Sequence, residues 1–229
     1  MRRRNIKILS QKFLLSPNAI DITFPDRSSA CLINPQKIEN LNLYERKRLV
    51  EKFYNDTFLV DQNACSSPQI ILWEKKGKGL GKKFFWDELY NLIKKKYILE
   101  ENAAIEKYTS LCKSISNLNV KIKLTKYENL IYIINLKKMP NNPEYLRGKW
   151  GLFYEYDLNN LKEINIIFNK KFQTLSYFGV DKKNIKKIIF NKSAEGIDRV
   201  VPIGQCLDIG FEWDGYNLNE YLTRTIKFL

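Results

Sequence analysis

The chain has 229 residues, with 39 Lys and Arg against 25 Asp and Glu and no histidine at all. A hydrophobic share of 44% with 13% aromatics is enough for a buried core and excludes wholesale disorder. The missing imidazole excludes Ser-His-Asp triads, Cys-His dyads and His-bearing zinc sites together.

The opening Met1-Arg2-Arg3-Arg4 resembles the basic head of a signal peptide, but residues 5–11 are too polar for the apolar segment that must follow. No apolar run approaches the roughly 18 residues of a membrane span, so a soluble cytoplasmic chain is expected. Ile20, Ile22 and Phe24 alternate as a strand does, and Pro25-Asp26 ends the run. Residues 30–33 read as a second strand, closed by Asn34-Pro35. Ile38, Leu41, Leu49, Val50 and Phe53 recur at helical spacing and predict a helix over 37–54. A small, polar stretch over 61–67 precedes a buried strand over 68–73. The glycine-rich loop 77–81 leads into a helix over 84–97, and a second helix covers 102–116. Strands follow at 120–124, 130–136 and 152–156, then helical spacing over 158–169. A strand over 173–178, a helix over 182–189 and a short strand over 199–203 complete the pattern. Alternating strands and helices make this an α/β fold with a mixed sheet flanked by helices, read as a single domain over 1–229.

The formal charge of +14 raises nucleic-acid binding as one function class. The bases argue against it: Lys outnumbers Arg by thirty to nine, whereas bidentate phosphate and base readout favours Arg. The lysines are also spread along the chain, as a solvated surface requires. Cys31, Cys65, Cys112 and Cys206 lie far apart, with no C-x-x-C pair, so they are expected to be free thiols, and no metal site is expected.

Two segments invite a chemical reading. The loop Gly77-Lys78-Gly79-Leu80-Gly81-Lys82-Lys83 lies between a strand and a helix, the layout of phosphate-binding turns. It fails both tests. A P-loop needs Gly where Lys76 stands and Ser or Thr where Lys83 stands, and a dinucleotide fingerprint begun at Gly77 needs Gly at Lys82. The second segment is Asp61-Gln62-Asn63-Ala64-Cys65-Ser66-Ser67-Pro68. Cys31 and Cys206 sit in apolar runs, as structural cysteines do, but Cys65 is flanked by small hydroxyl and amide residues. Such a turn offers backbone N–H groups to a thiolate and an oxyanion. Composition alone leaves Cys65 open as either a nucleophile or a plain loop cysteine.

This segment, followed by Ile70-Ile71-Leu72-Trp73, resembles the nucleophile segment of the LuxC-type acyl-CoA reductases. These are the fatty-acid reductases of bacterial luminescence, a branch of the aldehyde dehydrogenase superfamily. Phe24-Pro25-Asp26-Arg27-Ser28 and Phe53-Tyr54-Asn55-Asp56 fit upstream, and Phe172-Gln173-Thr174-Leu175-Ser176-Tyr177-Phe178-Gly179 fits downstream. Gly196-Ile197-Asp198-Arg199-Val200-Val201-Pro202-Ile203-Gly204 and Trp213-Asp214-Gly215-Tyr216 complete the series in the same order. The resemblance implies an aldehyde-dehydrogenase-like catalytic domain in which Cys65 takes an acyl group as a thioester. The donor is a fatty acyl-CoA or an acylated donor protein, and NADPH reduces the thioester to aldehyde. It implies supporting roles for Asn63, Ser66 and Ser67 around the oxyanion. For a nicotinamide contact the nearest candidates are Gly148 and Gly151, within Arg147-Gly148-Lys149-Trp150-Gly151.

Members of that family are about twice as long, and their N-terminal dinucleotide-binding domain has no counterpart here. The implied reaction is therefore incomplete without a separate N-terminal half or acyl-transfer subunits. A non-enzymatic, partner-binding remnant is the competing class. Asp198 and Arg199 are expected as an ion pair, and Trp213-Asp214-Gly215-Tyr216 as a turn with packed aromatics.

Overall fold

The computed structural model of the chain describes residues 19–77, 79–191 and 196–228. The opening stretch 1–11 and Lys78 of the glycine loop lie outside them. Seven strands form one sheet: β1 (Ser28–Ile33), β2 (Pro68–Glu74), β3 (Ile122–Tyr127), β4 (Ile131–Leu136), β5 (Leu152–Leu158), β6 (Phe172–Phe178) and β7 (Arg199–Pro202). Their order is β3-β4-β5-β2-β1-β6-β7, with every neighbouring pair parallel except the β3–β4 hairpin. β1 and β2 occupy the middle, and every residue of both is buried. That is why both read as continuous apolar runs: a central parallel strand is covered on two faces.

Helices cover the two faces: α1 (Pro35–Glu39), α2 (Leu43–Thr57), α3 (Leu80–Lys96), α4 (Glu101–Asn117), α5 (Ile164–Ile167) and α6 (Lys182–Asn191). Alternate strand residues feed two separate cores. Ala30, Leu32, Ile70 and Leu72 pack with Leu111 of α4 and Ile185 of α6. Cys31, Ile33, Ile71 and Trp73 pack with Phe53 of α2 and with Phe85, Trp86 and Leu89 of α3. A small hairpin, β8 (Glu212–Trp213) with β9 (Tyr216–Asn217), and a short α7 (Leu218–Leu222) follow the sheet.

Three local expectations are corrected. Residues 20–24 form no strand: Ile20 and Phe24 are 58% and 48% exposed, and Phe24 rests its ring edge-on against Tyr216 instead. Alternation makes a strand only where a sheet edge is at hand to pair with it. The helix expected over 37–54 is two helices, α1 and α2. Asn42 accepts the Glu45 N–H while Glu45 accepts the Asn42 N–H, a reciprocal cap that starts a new helix rather than continuing the old one. The stretch 158–169 holds only a capped 3₁₀ turn, Leu161–Glu163, and the single turn of α5, because Asn160 opens the turn late and the chain is extended again by Phe168. Among the described residues no helix is long and apolar enough to cross a membrane.

Candidate active site around Cys65

The amino-terminal ends of β1, β2, β6 and β7 point to one edge of the sheet, and the loop carrying Cys65 lies there, immediately before β2. After α2 and the 3₁₀ turn Phe58–Val60, Asp61 and Gln62 adopt left-handed backbone (φ 52° and 55°) and reverse the chain. Two successive non-glycine residues in that region cost energy, and the surroundings must hold them.

Two buried glutamines do so. The Gln62 side chain accepts the Gly151 N–H at 2.8 Å and donates to Pro68 O at 3.3 Å and Leu152 O at 3.4 Å. The Gln69 side chain accepts the Gly148 N–H at 2.8 Å and donates to Gln62 O at 3.1 Å and Ser67 O at 3.3 Å.

β1 supplies a third brace. Its pairing slips between Ser29 and Ala30 against β2 and between Ser28 and Ala30 against β6, so Ser29 is skipped in the register with β6. The Ser29 hydroxyl donates to Cys65 O at 2.6 Å and accepts the Thr174 N–H at 3.1 Å, tying the Cys65 loop to β6. Ser67 donates to Asp56 O at 2.7 Å, and the Asp56 carboxylate accepts the N–H groups of Gly204 (2.6 Å) and Cys206 (2.9 Å). Burial pushes the Asp56 carboxyl above the usual range, against the pull of those two N–H groups.

Cys65 itself is half-buried, whereas Cys31 and Cys206 are fully enclosed and burial holds both thiols in the protonated form. Cys65 lines a cavity of about 230 Å³ with Phe24, Gln173, Leu207, Ile209, Trp213 and Asp214. Ser67 N–H is bonded to Ala64 O at 3.1 Å, while the N–H groups of Cys65 and Ser66 have no acceptor among the described residues. Unclaimed backbone donors of this kind serve an oxyanion in acyl transfer where they face it. Of the supporting residues named from sequence, Ser66 and Ser67 are buried in the loop and Asn63 is exposed. Ser66 lines the cavity with Cys65, and Ser67 braces the loop from behind.

Behind the cavity's Asp214 lies a charged cluster. The buried Arg27 donates through Nη1 to Asp198 and to Asp214 (2.7 Å), and through Nη2 to Phe172 O and Gly196 O (2.5 Å). Gln173 donates to the same Asp214 oxygen at 3.0 Å, and Arg147 donates to Arg27 O at 2.5 Å. Asp198 is therefore paired with Arg27 rather than with its neighbour Arg199, which corrects the sequence expectation. Arg199 stacks 4.4 Å over the Trp213 ring and donates to the carbonyls of Gln205, Cys206 and Asp208. Trp213-Asp214-Gly215-Tyr216 is the hairpin turn that was expected, with Asp214 and Gly215 both at positive φ.

Sequence reading missed Arg27, Ser29, Gln62 and Gln69 as site-building residues. The available signal was placement: polar side chains directly abutting the two most apolar strands, with no solvent to receive them.

The glycine turns do not fit a dinucleotide. The N–H groups of Gly148 and Gly151 are held by Gln69 and Gln62, and an added Cβ would meet Leu152 O at 1.7 Å or Leu130 O at 2.2 Å. These glycines allow close backbone packing and leave no open donor for a ribose or phosphate. In the Gly77 loop, Gly81 N–H donates to the Glu39 carboxylate at 3.2 Å, a charge that repels phosphate. That loop follows β2 and so lies at the opposite sheet edge from Cys65, roughly 20 Å away along a seven-residue strand.

No protein-family model matches the chain, and no curated protein does. Similarity to solved structures is confined to the backbone path. An aldehyde dehydrogenase from Brucella melitensis biovar abortus 2308 is 12% identical, with a TM-score of 0.48 over 77% of this chain and 38% of that one. Aldehyde dehydrogenase 21 from Physcomitrella patens, solved with the reaction product succinate, is 12% identical, with a TM-score of 0.49 over 77% of this chain and 38% of its own. The gamma-glutamyl-gamma-aminobutyraldehyde dehydrogenase from Burkholderia cenocepacia J2315 is 10% identical, with a TM-score of 0.49 over 80% and 38%. The chain thus spans well under half the length of each of these three proteins.

Proposed function

We propose that this chain is the thiol-bearing catalytic part of an aldehyde-dehydrogenase-like acyl-CoA reductase of the LuxC type, with Cys65 as the acyl acceptor. The observation that carries this reading is convergence. The segments that carry Phe24, Cys65, Gln173 and Asp214, which resemble that family in sequence, gather from across the chain at one cavity, and Arg27 ties Asp198 to Asp214 behind it. A plain loop cysteine needs no such assembly.

In the proposed step, Cys65 Sγ attacks the acyl carbonyl of a fatty acyl-CoA or of an acylated donor protein. The carbonyl oxygen takes up charge opposite the Cys65 and Ser66 N–H groups. The bond to the donor sulfur or oxygen then breaks, and the donor leaves with the electron pair and takes up the proton that the thiol has given up. One acyl ester replaces another, so the step requires neither oxidant nor reductant. The apolar lining from Phe24, Leu207, Ile209 and Trp213 suits an aliphatic chain. Reduction of the thioester to aldehyde requires NADPH, and since the described glycine turns do not fit it, we assign the dinucleotide to a separate N-terminal half.

Incubation with radiolabelled fatty acyl-CoA tests the assignment. A hydroxylamine-labile label on the native chain, absent from Cys65→Ala, is the expected result. Label that persists in Cys65→Ala removes the assignment.

A further inference from the structure

A surface loop usually leaves its backbone groups to water. The loop 204–208, which follows β7, gives them to two charged side chains. The N–H groups of Gly204 and Cys206 go to separate oxygens of the Asp56 carboxylate, at 2.6 and 2.9 Å. The carbonyls of Gln205, Cys206 and Asp208 accept from the Arg199 guanidinium, at 3.2, 3.0 and 2.8 Å. An anion thus holds the donors of the loop and a cation its acceptors, and charge-assisted bonds are roughly twice as strong as neutral ones. Gly204, at φ 98°, brings the loop so close to α2 that an added Cβ would meet the Lys52 side chain at 2.9 Å.

This clamp bears on the Cys65 cavity in two ways. Leu207 in the loop and Ile209 just past it line the cavity, as does Trp213, the ring beneath the Arg199 guanidinium. Asp56 also reaches the thiol loop, because its own carbonyl accepts the Ser67 hydroxyl, two residues from Cys65.

We propose that Asp56 and Arg199 are positioning residues that hold the apolar wall of this cavity in place and so give it a preference for long alkyl chains, an inference that rests on Cys65 as the acyl acceptor. Leu207 is only partly buried and Ile209 is 78% exposed, so the core does not fix them. A wall left loose must be ordered each time a chain binds, and that entropy offsets the gain from apolar contact. Neither Asp56 nor Arg199 is among the side chains lining the cavity, so neither meets the reacting atoms. Loss of either therefore lowers the advantage of a long chain and leaves the thiol itself as reactive as before.

N-methylmaleimide and N-octylmaleimide read the wall without acyl chemistry, by simple addition to the thiol. Each cysteine of the full chain is followed by peptide mass spectrometry, and the exposed Cys112 is the reference for intrinsic reactivity. Native Cys65 is expected to favour the octyl reagent at least ~10-fold relative to Cys112. Asp56→Asn sets an amide NH2 against a loop N–H, and Arg199→Ala removes the donor to three carbonyls. Each is expected to cut the octyl preference at least ~5-fold, with the methyl rate within about twofold of native. Arg199→Lys, which keeps the cation, is expected to fall between native and Arg199→Ala. Arg199 is partly exposed on the edge strand, so its variants decide the matter even where Asp56→Asn does not fold. An octyl preference unchanged in the folded variants overturns the proposal, as does a native Cys65 without one. Methyl and octyl rates that move together, as general loosening would move them, overturn it too, and so does an Arg199→Lys chain no better than Arg199→Ala. Fatty acyl-CoA labelling run alongside separates the two readings: a native chain with the maleimide pattern but no acyl label keeps the clamp and loses the acyl acceptor.

Discussion

The two edges of the sheet are built differently from similar-looking sequence. Each has a polar loop rich in small residues next to β2: the Cys65 loop before it and the Gly77 loop after it. At the amino edge the polar groups are buried and held by partners far away in sequence, such as Arg27 with Asp198 and Asp214, and Ser29 with Thr174. At the carboxyl edge Lys76, Gly77, Gly79 and Lys83 are exposed, and the contacts are Gly81 N–H with Glu39 in the neighbouring α1 and an ion pair of Lys82 with the half-exposed Asp157. Open parallel sheets usually bind ligands at the carboxyl ends of their strands. Here the cavity that holds Cys65 is at the other end. A loop becomes a site through the long-range groups that fix it, and glycine content by itself does not supply them.

The widest separation between the two edges is expected from Arg27→Ala. It leaves Asp198 and Asp214 without their cation and Phe172 O and Gly196 O without a donor. Removing one partner of such a buried set costs roughly 3–5 kcal/mol. Urea unfolding is expected to show that loss together with the disappearance of acyl labelling at Cys65. A variant of near-native stability would mean that the charged cluster is incidental.

At the opposite edge, Gly81→Ala brings a Cβ to 2.0 Å from Pro35 O, so α1 and α3 must separate. A stability loss of about 1–3 kcal/mol is expected, yet with the labelling rate of Cys65 unchanged below the new melting temperature. A parallel fall in labelling would break the comparison, because it would couple the two edges.

Ser29→Ala is milder. It removes the donor to Cys65 O and the acceptor of Thr174 N–H, at about 1–2 kcal/mol. Labelling is expected to slow several-fold, because the loop that presents the thiol loses its tie to β6. Labelling at the native rate would show that the glutamine braces alone suffice.

Glu155, in the middle of β5 between the two edges, serves as the control. One of its carboxylate oxygens accepts both the Trp73 and Trp86 indole N–H groups at 2.6 Å, and burial lifts its pKa above the usual carboxylate range. A lifted carboxyl stabilises the fold while protonated, and that contribution is lost as pH rises through the lifted value. Gln keeps the oxygen and never ionises. Glu155→Gln is therefore expected to be more stable than the native chain at neutral pH by about 1 kcal/mol, the gap closing towards about pH 4. Denaturation followed by tryptophan fluorescence at the two pH values measures it. A gap that widens on acidification would contradict the burial argument. Labelling of Cys65 is expected to be unaffected.

Much of this architecture was legible in the chain because it follows from local pattern. The apolar runs at β1 and β2, the strand–helix alternation and the burial of Cys31 and Cys206 need only residue type and neighbours. The polar setting of Cys65 was legible in the same way. Boundaries held less well wherever a side-chain cap outweighed periodicity, as at Asn42 and Asn160.

What sequence alone determined was the class of fold and the one cysteine set in a small, polar loop, since hydrophobic periodicity and flanking composition are properties of short segments. Tertiary structure alone decided the partners. Arg27 meets Asp198 across 171 residues, and Gln62 meets Gly151 across 89. Whether residues 20–24 pair as a strand depended on an available sheet edge. The work of the glycines at 148 and 151 depended on which backbone passes within contact distance. None of these is a local property: each is set by the order in which parallel strands pair, and no segment carries that order within itself.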